Sequence, residues 1–167
     1  MVSRAHPRAE QVRAWSLVAT QGILLAALGL LPGRRGWTTP WWLLVATAVM
    51  IIAAAVLAFA GALRLGAGLT ASPLPSDAAR LRTTGVYTYV RHPIYTALLL
   101  GGAGAVLIAA RPARIWVWLA LLALLCFKTI LEERALTARF PDYPAYAAHT
   151  PRLLPHVLRR RLRTQGR

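Results

Sequence analysis

Cysteine, lysine and acidic residues are nearly missing from this chain. The single cysteine, Cys126, excludes an intramolecular disulfide, and one thiol cannot build a zinc or iron–sulfur centre. Lysine occurs once, as Lys128, and acids five times, as Glu10, Asp77, Glu132, Glu133 and Asp142. No GxGxxG and no P-loop is present, so no loop of the phosphate-cradling kind follows a strand. Only 15% of residues are charged while 57% are hydrophobic, and the mean hydropathy is +0.49. That balance excludes an ordinary soluble domain. A length of 167 residues suits one domain, taken here as residues 1–167.

Four apolar runs are present instead: Trp15 to Pro32, Trp41 to Leu63, Ile94 to Ala110 and Ala113 to Leu131. Each is close to the roughly 20 residues that a helix needs to cross a hydrocarbon core of about 30 Å. In lipid the backbone must satisfy its own hydrogen bonds, so runs of this length predict helices and an all-α polytopic membrane protein. The third run is the shortest and is expected to borrow neighbouring residues. Span one has a basic lead-in, but its apolar stretch exceeds a signal-peptide core and no convincing small-x-small cleavage site follows, so it reads as retained. Gly101, Gly102 and Gly104 in span three allow close helix approach, and Trp37, Trp41, Trp42, Trp116 and Trp118 read as interfacial anchors.

Basic residues total 20, of which 19 are arginine. Four, Arg34, Arg35, Arg111 and Arg114, fall in the short outer connections; the other 16 fall on the side of the termini. The positive-inside rule then places both termini in the cytoplasm, with the protein in the cell's inner membrane. Arg4 and the run Arg159-Arg160-Arg161-Leu162-Arg163 belong to that count. Beside four spans the run retains orientation and meets anionic headgroups. No groove-sized basic face for nucleic acid accompanies it.

Polar chemistry is confined to the cytoplasmic loop 64–93 and the tail 132–167. The loop is expected to be extended around Pro73 and Pro75, and the tail irregular beyond a helical continuation of span four. Thr84-Gly85-Val86-Tyr87-Thr88-Tyr89-Val90-Arg91-His92-Pro93-Ile94-Tyr95 leads into span three. His92 before a proline is kept from the α conformation, so Pro93 begins the helix and Arg91 and His92 sit at its anion-favouring N-terminus. On span four Lys128 and Glu132 are i and i+4, spaced for an ion pair. Glu132 and Glu133 lie about 100° apart around that helix, too far to face one partner. Tyr143 and Tyr146 suit a membrane interface.

Gly85-Val86-Tyr87, Arg91-His92-Pro93-Ile94-Tyr95, the Glu132-Glu133 pair and the downstream Phe140, Tyr143, Tyr146, Pro151-Arg152 and Pro155 together resemble the isoprenylcysteine carboxyl methyltransferase family. That family belongs to a wider group of membrane methyltransferases that includes phospholipid N-methyltransferases. The resemblance covers Leu81 to Pro155, almost half the chain. One departure is Ala97, where the family often has glycine; its methyl group would tighten the cofactor cleft. The resemblance implies methyl transfer from S-adenosylmethionine at the cytoplasmic membrane surface to a lipidic or small membrane-accessible acceptor. It assigns the cofactor to Leu81, Arg82, Tyr87, His92, Pro93, Tyr95 and Glu132. It names Lys128, Glu133 and Arg91 as candidate catalytic residues, Lys128 standing where the family has an arginine associated with substrate. No metal is required, because the sulfonium is already a good leaving group. A carboxylate acceptor needs only steering; an amine or thiol needs a base, for which Glu133, His92 or Tyr87 are available.

Overall fold

The computed structural model describes residues 7–155. Arg4 and Arg159 to Arg163 lie outside the described residues. Five α-helices follow in chain order: α1 Arg8–Leu30, α2 Trp41–Leu65, α3 Pro93–Ala109, α4 Ala113–Arg139 and α5 Tyr143–His149, with 3-10 turns at Gly66–Gly68 and Gly85–Thr88. No strand occurs among the described residues. α1, α2 and α4 are each long and apolar enough to cross a membrane, and α3 is a shorter apolar helix of 17 residues. The protein is an all-α polytopic membrane protein.

α3 takes in only Pro93 beyond the apolar run and gives up Ala110. Pro93 stands at its N-terminus, where the missing N–H costs nothing, and Ala110 turns left-handed at φ 53° to close it. Seventeen residues at about 1.5 Å each still reach about 25 Å, the lower limit of a spanning helix. α2 ends where Gly66 takes φ 53°, a conformation that costs glycine little. The tail also departs from the irregular expectation, because α5 forms there. Its proline, Pro144, falls in the first turn, the part of a helix where proline is tolerated.

Helix packing follows the small residues of α3. A Cβ on Gly104 would stand 3.2 Å from Ile51 on α2, and one on Gly102 would stand 3.1 Å from the Trp118 ring. The glycines therefore let α2 and α4 close in. Leu28, Leu99, Val106, Leu121 and Leu125 form the core between α1, α3 and α4, while Trp41, Phe59, Trp116 and many aliphatic residues stay exposed, an apolar surface suited to lipid. Trp118 and Trp37 depart from the anchor expectation. Their indole N–H groups donate to the Leu99 and Leu107 carbonyls of α3 at 2.9 and 3.2 Å, so Trp118 ties α4 to α3 and Trp37 ties the α1–α2 connection to it.

Arg114 explains one of the few basic residues at the opposite end. It is buried, and its guanidinium donates to the carbonyls of Leu28, Gly29 and Leu31, capping the carbonyl-rich C-terminus of α1.

Candidate functional site

At the end of the bundle that carries residues 64–93 and the tail, a cavity of about 410 Å³ opens between α3, α4, the long connection and α5. Pro93 fixes where α3 begins, so Tyr95 and the residues just before the helix are held against this space. Leu81, Arg82, Tyr87, His92, Pro93, Tyr95 and Glu132 all line it, as does Arg91. Lys128 and Glu133 do not. Ala97 is buried in the helix packing and lines no part of the cavity, so its methyl group does not narrow it.

The two adjacent carboxylates do meet one partner, contrary to the argument from their angular separation. The His92 ring lies between them, with Nε2 3.0 Å from Glu133 Oε1 and Nδ1 3.6 Å from Glu132 Oε2. An imidazole has nitrogens on two edges, so it spans an angle that a single-headed group cannot. His92 also stacks on Tyr95 with centroids 5.6 Å apart.

Glu133 is occupied on both oxygens. Arg152 donates to it through Nε at 2.9 Å and Nη2 at 2.6 Å, and Arg91 Nη2 approaches at 3.3 Å. This forked pair fastens the tail. Alongside it the Arg91 and His92 N–H groups donate to the Pro151 and Arg152 carbonyls at 2.9 and 3.2 Å, and the Thr96 hydroxyl donates to the Leu153 carbonyl at 2.8 Å. The fold thereby brings α5 over the cavity, where Tyr143 and Tyr146 form part of the wall. The Tyr146 hydroxyl donates to the Tyr87 carbonyl at 2.6 Å.

Lys128 is fully buried and makes no ion pair with Glu132 among the described residues. Its ammonium instead donates to the Gln21 side-chain oxygen and to the Ala71 carbonyl, and it lies 5.4 Å from the Tyr95 ring centre. Neutral oxygens on α1 and the connection are in reach, and the i+4 acid has turned to His92.

Burial pushes the Tyr87 phenol well above its ordinary range, with the Glu132 charge adding to the effect. Burial likewise raises Tyr143, helped by Glu133 and opposed by Arg91, and Tyr146 is pushed up to about 12 by burial against the lowering effect of Arg91. These three tyrosines are neutral at physiological pH and so carry hydroxyl protons and uncharged ring faces. The Arg91 Nε and the Tyr143 hydroxyl are buried with no hydrogen-bond partner, so this wall has donors to spare.

Sequence reasoning gave no site role to Gln21, to Gly68 through Ser72, to Leu74 and Pro75, or to Leu136, all of which line the cavity. A lone polar residue in an apolar span was the available signal for Gln21; the connection carries no pattern that announces its path. Among the described residues no group of three or more His, Cys, Asp or Glu side chains is gathered that could hold a metal ion.

A family profile described as phospholipid methyltransferase matches residues 41–142. The nickel-cobalt-cadmium resistance protein NccN of Alcaligenes xylosoxydans xylosoxydans is 28% identical over 147 residues, covering 86% of this chain and 63% of that protein. The cobalt-zinc-cadmium resistance protein CzcN of Cupriavidus metallidurans is 29% identical over 151 residues, covering 88% and 64%. The chain thus spans less than two thirds of the length of these curated relatives. The matched segment takes in α2, α3, α4 and most of the cavity-lining residues, and the chain belongs to the phospholipid methyltransferase family, within the isoprenylcysteine carboxyl methyltransferase-like superfamily.

Proposed function

We propose that the protein is an S-adenosylmethionine-dependent membrane methyltransferase acting on a lipidic or small membrane-accessible acceptor at the cytoplasmic face of the inner membrane, with both termini on that face. The observation that carries this reading is the convergence of Tyr87, His92, Tyr95 and Glu132, from segments far apart in sequence, on one cavity. Its volume lies within the roughly 300–1,000 Å³ common for small-molecule sites.

The residues suit the cofactor. Glu132 is the carboxylate that lines the cavity, placed to accept from an ammonium or ribose hydroxyls. Arg91, with its unpartnered Nε, and Arg82 offer donors for a carboxylate. The rings of Tyr87, Tyr95 and Tyr146 offer faces for adenine and for a sulfonium. When bound, the cofactor supplies a methyl group on a positively charged sulfur that leaves as a neutral thioether.

The protein's task is then alignment. Glu132, Arg91, Arg82 and the tyrosine rings would hold the cofactor so that acceptor atom, methyl carbon and sulfur could lie in one line. Holding those three atoms in line is the main contribution an enzyme can make to such a displacement. His92 is clamped between Glu132 and Glu133, and Glu133 is clamped by Arg152, which makes both positioning groups in this scheme. An acceptor that is already ionised fits it best, with N- or S-methylation as the variants that call on Glu132 to take up the acceptor's proton. The metal-resistance names of the relatives extend to this chain only as a setting in which such a methylated product would be useful.

Calorimetric titration of the purified protein in detergent with S-adenosylhomocysteine, beside His92→Ala, tests the reading. Micromolar binding that is lost in the variant supports it. Absence of binding by the folded wild-type protein refutes it and favours a non-enzymatic membrane scaffold.

A further inference from the structure

Gln21 has no task in the scheme above. It lies in α1, outside the residues that the family profile matches, and it is the one residue of that helix lining the cavity. Its side-chain oxygen accepts from the Lys128 ammonium. An ammonium can only donate, so it settles which end of the carboxamide it holds. The NH2 end makes no hydrogen bond among the described residues and is not among their buried unpartnered atoms, so on a residue that lines the cavity it is the group available to a ligand.

Position and charge say what that NH2 group meets. Lys128 stands one turn before Glu132 on α4, about 6 Å nearer the bilayer centre, so Gln21 marks the membrane-ward end of the cavity. The cavity wall also includes the apolar side chains of Leu69, Leu98 and Ile94. Lys128 has no carboxylate within ion-pair distance among the described residues, so its positive charge stands behind the carboxamide and strengthens it as a donor.

We propose that the Gln21 carboxamide, oriented by Lys128, receives an anionic headgroup oxygen of an acyl-chain acceptor, a phosphate or a carboxylate, at the membrane-ward end of the cavity. Gln21 touches the acceptor; Lys128 is a positioning residue that acts through it. The assignment rests on the reading that the cavity holds a cofactor and a lipidic acceptor together.

Gln21→Glu separates this role from a structural one. Glutamate keeps the bond to Lys128 as an ion pair, so α1 and α4 stay joined, while the atom offered to the cavity changes from donor to acceptor. The full chain in dodecyl maltoside is titrated with dodecyl phosphate, dodecanoate, dodecylamine and S-adenosylhomocysteine. The wild-type protein should bind an anionic probe, and whichever of phosphate and carboxylate binds tighter identifies the headgroup. In Gln21→Glu that affinity should fall at least about tenfold, dodecylamine should bind more tightly, and S-adenosylhomocysteine should stay within about twofold. Gln21→Leu should lose the anionic probe without the gain in amine, and Lys128→Arg should retain it where Lys128→Met does not.

Unchanged anionic affinity in Gln21→Glu overturns the proposal, as does a parallel fall for probe and S-adenosylhomocysteine. Wild-type protein that binds S-adenosylhomocysteine but neither anionic probe also overturns it and leaves the methyltransferase reading standing. Wild-type protein that binds no S-adenosylhomocysteine removes that reading and this proposal with it.

Discussion

Replacing Arg152 with methionine should loosen the tail over the cavity without unfolding the bundle. Arg152 holds Glu133 by two hydrogen bonds of 2.9 and 2.6 Å. Its side chain is 40% exposed while that of Glu133 is 12% exposed. A fully buried pair costs about 3–5 kcal/mol to break, and an exposed one about 0–1 kcal/mol. The half-open geometry places this pair near 1–2 kcal/mol after solvent screening. Glu133 would not be stranded, because His92 and Arg91 remain beside it at 3.0 and 3.3 Å, so no penalty for an orphaned buried charge is added.

About 1–2 kcal/mol corresponds to roughly a 5- to 30-fold rise in tail opening. The opening has a local reporter, since the Arg91 and His92 amides donate to the Pro151 and Arg152 carbonyls. Hydrogen exchange at those two amides should accelerate by that factor in Arg152→Met, while exchange in the middle of α2 stays as it was. Affinity for S-adenosylhomocysteine should fall in step, because α5 contributes Tyr143 and Tyr146 to the wall. Amides that exchange at the wild-type rate would refute the claim that Arg152 fastens the tail.

Other perturbations read other parts of the structure. Glu132→Ala should weaken S-adenosylhomocysteine at least about tenfold, the worth of a charge-assisted hydrogen bond, with the thermal midpoint in detergent little changed; equal affinity would remove Glu132 from the pocket. Arg114→Met strips four hydrogen bonds from the α1 carbonyls and should destabilise the bundle by about 2–4 kcal/mol, seen as a lower melting temperature with the cofactor affinity of the surviving folded fraction intact. Tyr146 has its folded pKa raised to about 12, so its contribution to stability is complete below the ordinary phenol value and fades as pH rises from about 10 towards 12. Tyr146→Phe should make the alkaline fall in melting temperature shallower, and an unaltered slope would show that this phenol does not titrate with unfolding.

Much of the fold was legible because bilayer constraints act locally. Run length alone marks α1, α2 and α4, and the His-Pro pair marks the start of α3 to the residue. The sites of α3 that admit close neighbours were readable as glycines for the same reason. What escaped the sequence was partner choice. Lys128 is spaced to pair with Glu132, yet its ammonium found Gln21, 107 positions away, because no rule of helix spacing weighs an acceptor on another helix. Trp118 looks like an anchor in sequence and is a packing residue in space, since only the fold shows that the Leu99 carbonyl lies within 2.9 Å of its N–H. The seven residues tied to the cofactor by resemblance were recognisable as a motif, and one pocket between the ends of spans three and four and the tail was expected from it; what the sequence did not announce was the path of residues 68–82 that completes the wall.

The clasp around Glu133 bears on the choice of acceptor. A base for deprotonating an amine or thiol must have a free lone pair within reach of the acceptor. Glu133 spends both oxygens on Arg152 and His92, the Tyr87 phenol is held protonated by burial, and His92 faces a carboxylate on each edge. Glu132 is then the remaining candidate, and in the proposed scheme it is engaged by the cofactor. A site arranged this way favours acceptors that arrive already ionised, which is also what the donor of Gln21, backed by the Lys128 charge, is suited to receive. If the enzyme methylates such an acceptor, its rate at saturating substrate should not rise with pH between pH 6 and pH 9, whereas an amine or thiol acceptor imposes such a rise. A rate that climbs tenfold per pH unit across that interval would show that a proton is removed before transfer, and the division of labour drawn around Glu133 would fall.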